Sequence, residues 1–280
     1  MNANTSIRDA LYEEPGPRMR RRIAIGTAIS AVLVLALIAF VVWRFYVTGN
    51  LDAKYWSFFL KPTTWSFLGQ GFLGTIEVAL TAGAISLVLG LLLMLGRISS
   101  FRPLAVVCRI IIDFFRGVPS LLLIYFFFLV VPQYGIKMPS FWMIALPVAF
   151  AASGVLAEVF RAGVNAVPRG QTEAALSLGM RRSHITFKIV LPQALKIVIP
   201  SLISQLVVVV KDTTLGYVVS YPDLLQNARV LISNYDALVS TYFVVAIIYI
   251  IVNYGINKLA LVVSNRTGNR VITRNSMTPV

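Results

Sequence analysis

The chain has one cysteine, Cys108, and one histidine, His184. A single thiol excludes a disulfide framework and a cysteine-rich metal site, and with apolar neighbours it packs as a small hydrophobe. A single imidazole among basic residues, with no second histidine, cysteine or carboxylate cluster beside it, gives no metal-ligand constellation. No Gly-x-x-x-x-Gly-Lys-Ser/Thr run occurs anywhere, so the chain carries no phosphate loop of its own. Serines and threonines of the apolar runs have no nearby base in any arrangement the sequence reveals, and no intrinsic catalysis is expected. Charge is scarce, at 13% of residues, and negative charge scarcer still, with 11 Asp and Glu against 25 Lys and Arg.

Hydrophobic residues, by contrast, fill 58% of 280 positions. A soluble globule of that composition would be coated in apolar surface, so lipid is the expected solvent. The net charge of +14 raises nucleic acid as a partner. The basic residues, however, sit between apolar runs rather than along one groove-sized face, and nucleic acid is excluded.

Residues 1–22 form a polar tail with Pro15-Gly-Pro17 and no periodicity, closed by Arg18, Arg20, Arg21 and Arg22. The apolar run from Ile23 to Trp43 is too long for a cleaved leader and reads as a retained span. With the outer loop after it, rich in Lys54, Tyr55, Trp56, Lys61 and Trp65, it makes up residues 23–67. Residues 68–263 read as the main transmembrane domain, and 264–280 as a second basic tail. Within the domain the expected spans are Gly71 to Leu95, Phe114 to Val131, Phe141 to Phe160, Ile197 to Val219 and Val239 to Val263. Ala79, Gly83, Ser86 and Gly90 share one face of the second span, which lets another helix approach closely. The outer loop at Tyr221 to Tyr235 has room for a short helix.

The fold class is therefore all-α, a polytopic membrane protein of about six transmembrane helices. Basic residues concentrate in Arg8, Arg18, Arg20 to Arg22, Arg97, Arg102, Arg109, Arg161, Arg169, Arg181, Arg182, Lys188, Lys196, Lys258, Arg266, Arg270 and Arg274. Only Arg44, Lys54, Lys61, Lys137 and Arg229 fall on the other side. This asymmetry places both termini, and the loop between the fourth and fifth spans, in the cytoplasm.

That loop is a polar island. Gln171 to Leu178 can make two helical turns, with Glu173 near the positive end of the helix dipole and Gly179 as the residue that stops it. Ala174 and Ala175 leave one side thin. Ser183 can cap a second short helix that Pro192 interrupts. Charges inside or beside the spans are costly and mark interior or wet positions. Arg116, Glu158, Lys211 and Asp212 are the candidates for a substrate pathway, along with Asp113 and Glu77. Each also has a structural alternative: Asp113 can pair with Arg116, Glu158 with Arg161, and Lys211 with Asp212 or a neighbouring helix.

Glu173-Ala-Ala followed by Gly179 and Ile189-Val-Leu-Pro192 resembles the cytoplasmic signature loop of ABC importer permeases. Arg116-Gly-Val-Pro119, Glu158-Val-Phe-Arg161-Ala-Gly, Pro168-Arg-Gly-Gln171 and Lys211-Asp-Thr-Thr-Leu215 resemble, in order and spacing, motifs of the polar amino-acid permeases. Within that family the likeness is to the glutamate-permease type of high-GC Gram-positive bacteria, which has a similar N-terminal segment and additional first helix.

The resemblance implies a multi-pass subunit of a bacterial plasma membrane that moves a polar amino acid by alternating access. Glutamate is the expected substrate, with glutamine or basic amino acids next. It implies a dimer of ATP-binding subunits holding ATP and Mg, a second permease subunit (a heterodimer favoured, a homodimer possible) and an extracellular amino-acid-binding protein. The chain itself is expected to hold no cofactor. ATPase coupling falls, by the same resemblance, to Glu173, Ala174, Ala175 and Gly179, with Arg181 and Arg182 nearby. An ion-coupled secondary amino-acid transporter is the alternative, though no inverted repeat supports it.

Overall fold

A computed structural model describes residues 16–267. The described residues up to Ser57 form one compact unit and those from Phe58 onward another.

The first unit is dominated by α1, Pro17–Val47, every turn of which is exposed. Proline opens it at a position whose N–H needs no partner. Between its basic first turns and Arg44 the helix is apolar all round and has no buried face, as suits a segment in contact with lipid. After Gly49, at φ 72°, the chain folds through a short turn in which the Trp56 indole donates to the Asn50 carbonyl.

The second unit is a bundle around two long helices, α2 (Pro62–Arg97) and α5 (Ser140–Ala166). Ala79, Gly83, Ser86 and Gly90 are all buried, so the small-residue face does pack. A Cβ at Gly90 would lie 2.8 Å from Leu156 Cβ and 3.0 Å from the Ser153 carbonyl oxygen, which means that only glycine permits this approach. Met94, Ile112, Leu156 and Phe160 fill the core on the basic side, while Val78, Ile124, Ile144 and Val148 fill it on the other.

Among the described residues, five helices are long and apolar enough to cross a membrane, or six when one bent pair counts as a span. That pair corrects the expected third span. A straight helix from Phe114 is replaced by α3 (Arg102–Gly117), a break at Val118 and Pro119, and a second segment, Ser120–Tyr134, at 99° to the first. α4, Ser120–Tyr125, opens that segment. Proline denies Val118 the helical conformation, and Val118 sits at ψ 125°. Residues 102–109, which lie outside the expected spans, thus belong to an amphipathic helix.

The basic loop differs from its expected form in three details. α6 spans Arg169–Ser177, with Arg169 rather than an acid in its first turn, so Glu173 lies one turn in. α7, Arg182–Ile185, is capped by Arg181, whose side chain makes no capping bond, rather than by Ser183. Pro192 does not interrupt. A wider π-type turn over Thr186–Val190 absorbs the missing donor, and the helix continues as α8, Leu191–Asp212. The whole run from Arg182 to Val219 counts as one span of 38 residues. α9 (Leu224–Tyr235) and α10 (Leu238–Thr267) complete the bundle.

Candidate functional site: a charged hub and a basic knob

Glu158 lies about two-thirds of the way along α5, and its carboxylate is the meeting point of three helices. Arg97, the last residue of α2, donates to Oε1. Arg161, one turn on in α5, donates from Nε to Oε2 at 2.7 Å, and Arg116 from α3 approaches Oε1 at 3.4 Å. Asp113 extends the network, 3.9 Å from Arg116 and 3.6 Å from Arg109. Four guanidiniums therefore face two carboxylates. Glu158 is only 17% exposed, whereas Arg116 is 46% exposed. Charge-assisted forks of this kind fix geometry and strengthen as water is excluded.

Glycine eases the approach of α3 to the hub. A Cβ at Gly154 would sit 3.1 Å from Arg116 Cγ and from the Ile112 carbonyl oxygen, a tight fit that would push its neighbours back by a few tenths of an ångström. The pairings proposed for Asp113 with Arg116 and Glu158 with Arg161 are thus both present. The pairing proposed for Lys211 is not. Lys211 is exposed and makes no ion pair among the described residues. Asp212 is half-buried and lies within reach of Ser120, the residue that begins α4 after the Pro119 break. The break therefore brings the Arg116-Gly-Val-Pro119 motif to Lys211-Asp-Thr-Thr-Leu215, which sequence distance alone did not reveal.

The knob is a helix with its own small core. Ala175 is 3% exposed and packs with Val167, Ile185, Val190 and Ala194. Ala174, Glu173 and Leu178 point outward, Leu178 at 82% exposure. Gly179 takes φ 71° and donates to the Leu176 carbonyl at 2.9 Å, while Met180 donates to Ala175 at 3.1 Å; together these close the helix end as the glycine signal predicts. The knob is tied to the bundle through Gly163, where a Cβ would lie 2.4 Å from Val198 Cγ1 and 3.0 Å from the Ala194 carbonyl oxygen. His184 stands exposed at the start of α7.

One node escaped the sequence analysis. Asp223 reads as a polar loop residue, yet it is fully buried at the end of the bundle opposite the knob. Its Oδ1 accepts from the Gln226 amide at 2.6 Å and caps α9, while Oδ2 is buried without a partner among the described residues. Burial pushes this carboxyl up to about 6, the α9 amides offsetting part of the penalty. Its carbonyl presses on Gly71 and that of Pro222 on Gly74, at 2.7 and 2.6 Å from the Cβ positions. The legible signal was Asp223 before an apolar run, an N-cap, together with the two glycines of α2.

The bundle, the broken third span and the helical loop between the fourth and fifth spans define a transport subunit. A family model described as the binding-protein-dependent transport system inner membrane component matches residues 86–269, and the chain belongs to that family, the permease subunits of ABC importers. Among its members it is 37% identical to the glutamate transport system permease protein GluD of Corynebacterium glutamicum, over 76% of this chain and 79% of that one. It is 32% identical to the probable glutamine ABC transporter permease protein GlnP of Bacillus subtilis, over 70% and 91%. A solved amino acid ABC transporter with histidines superposes with a TM-score of 0.69 at 29% identity, covering 72% of this chain and 94% of that one. The MetNI methionine ABC transporter, at 19% identity and a TM-score of 0.62, shares the fold, with 74% and 99% covered. The chain is thus a multi-pass inner-membrane permease subunit of an amino-acid importer.

Proposed function

We propose that this permease imports glutamate, with glutamine and basic amino acids as the next choices, and that its basic side faces the cytoplasm. The observation that carries the substrate is the 37% identity to a glutamate transport permease. The surplus of guanidinium over carboxylate around Glu158 supports it, because a substrate with two carboxylates and one ammonium suits a path with unmatched positive charge. Glu158 already spends both oxygens on arginines. Arg116 and Lys211, which makes no ion pair among the described residues, are therefore the better candidates to meet the substrate carboxylates, and Asp212 its ammonium.

The knob is the proposed contact for a separate ATP-binding subunit that holds ATP and Mg. Glu173, Ala174 and the apolar tip at Leu176 and Leu178 form its exposed face, Ala175 and Gly179 hold its shape, and Arg181 and Arg182 flank it. A helix locked to two spans transmits displacement that a mobile loop would dissipate. The partners completing the importer are a second permease, a related chain or a copy of this one, and an extracellular amino-acid-binding protein. Domain limits follow this reading: 1–22 and 264–280 as cytoplasmic tails, 23–67 as the additional helix and outer loop, 68–263 as the permease.

The test is ATP hydrolysis by the purified complex in nanodiscs, with the binding protein loaded with each of several amino acids. Hydrolysis stimulated by glutamate, and uncoupled by Glu173→Arg, supports the reading. Transport that persists under an ion gradient, with no ATPase copurifying, overturns it.

A further inference from the structure

A groove of about 660 Å³ opens at the basic end of the bundle, between the end of α2, the turn into α3 and the start of α7. A second cavity of about 530 Å³ continues it toward α6, the two sharing Ile98, Ser100, Arg182 and Thr186 as walls. The lining is divided by chemistry. Leu92, Leu95, Leu104 and Phe187 make one side apolar, and Leu92, Leu104 and Phe187 are 57%, 43% and 55% exposed. Arg182, Arg169, Ser99, Ser100 and Thr172 make the other side polar and basic. No aspartate or glutamate lines either cavity.

A soluble anion satisfies only half of this surface, because it leaves the leucines and Phe187 in water. A bare hydrocarbon satisfies only the other half, because it lays oil over two guanidiniums. An amphiphile with a negative head fits both. Position agrees: α2 ends at Arg97, where a span leaves the bilayer, so the apolar wall lies at acyl-chain depth and the arginines at headgroup depth. A zwitterionic head brings an ammonium for which the groove offers no carboxylate.

We propose that the groove binds one anionic phospholipid of the adjoining leaflet, its phosphate on Arg182 and Arg169 with the Ser and Thr hydroxyls, and a chain along Leu92, Leu95 and Leu104. The lipid fills the joint between the α2–α3 turn and the base of the knob. This site does not depend on which amino acid is carried, and it meets the proposed ATPase contact at Arg182 and Leu176.

The experiment is native mass spectrometry of the purified full-length chain in mild detergent, offered equal amounts of phosphatidylglycerol and phosphatidylethanolamine. One phosphatidylglycerol is retained, in preference to phosphatidylethanolamine by about thirty-fold, the scale expected of two arginines near a headgroup. The Arg169→Gln/Arg182→Gln double variant loses that preference, whereas Lys137→Gln, on a distant exposed loop, keeps it. Should the double variant fail to fold, Ser100→Glu on the exposed turn puts a carboxylate into the shared wall and abolishes retention. Equal retention of the two lipids, retention unchanged in these variants, or displacement by inorganic phosphate overturns the proposal.

Discussion

The carboxylates of Glu158 and Asp223 show how differently one chemical group behaves in one chain. Glu158 is held by arginines from three helices. Glu158→Gln removes the shared counter-charge, leaving only Arg116 with a second carboxylate, and a loss of stability of about 2 kcal/mol for lost bonds to a charged group is expected, read as a lower unfolding midpoint. Thermal unfolding in detergent checks it, and an unchanged midpoint refutes the hub as a stabilising element. Asp223 makes no ion pair among the described residues. Its folded pKa of about 6 stands above the ordinary 3.8, so the native state holds a proton that the unfolded chain releases. Stability therefore falls as pH rises from about 4 through 6, by about 3 kcal/mol for a shift of two units. Asp223→Asn keeps the cap, since Asn is an equally good N-cap. It should flatten this dependence and leave the variant more stable than the parent at pH 8; parallel pH profiles of the two would sink the argument.

At the scale of elements, hydropathy made the long spans legible. α1, α2, α5, the α8 span and α10 all lie where apolar runs predict them, because a run of that length has no other low-energy home. What hydropathy hid was orientation within a run. The alternation of arginines and apolar residues over Arg102–Gly117 describes a helix with one wet face, yet its C-terminal half merged with the apolar residues beyond Pro119. The proline was the available signal. The site was legible in part: i, i+3 spacing joined Asp113 to Arg116 and Glu158 to Arg161, but Arg97 reaches Glu158 across 61 residues, a contact no local pattern encodes. The knob's stop was fully readable, since φ 71° at Gly179 is open to glycine and strained for others. Gly179→Val should cost about 1–2 kcal/mol in forming that turn. ATPase activity of the assembled complex is expected to lose its response to loaded binding protein while basal hydrolysis persists; a full response in the variant would show that the turn is dispensable.

For the whole molecule, orientation is the property to be measured. Cys108 is the only thiol and is 7% exposed, so native labelling gives a low background. Ser177→Cys on the knob and Lys137→Cys on the opposite loop, both at exposed positions, report the two faces. In intact cells an impermeant maleimide should label Lys137→Cys and spare Ser177→Cys until the membrane is opened. The reverse pattern would invert the topology and remove the knob from the reach of a cytoplasmic ATPase.

The helical run from Arg182 to Val219, which passes from α through a π-type turn back to α and ends in a 3-10 stretch, has a geometric corollary. At 1.5 Å per residue its 38 residues measure roughly 57 Å. A rod of that length swings its far tip by roughly 1 Å for every degree it pivots about its near end. Five degrees, too small to break a side-chain contact at the pivot, sweeps about 5 Å at the tip, roughly the spacing between neighbouring strands of a sheet. Angular gain, rather than large local rearrangement, is what this continuity supplies.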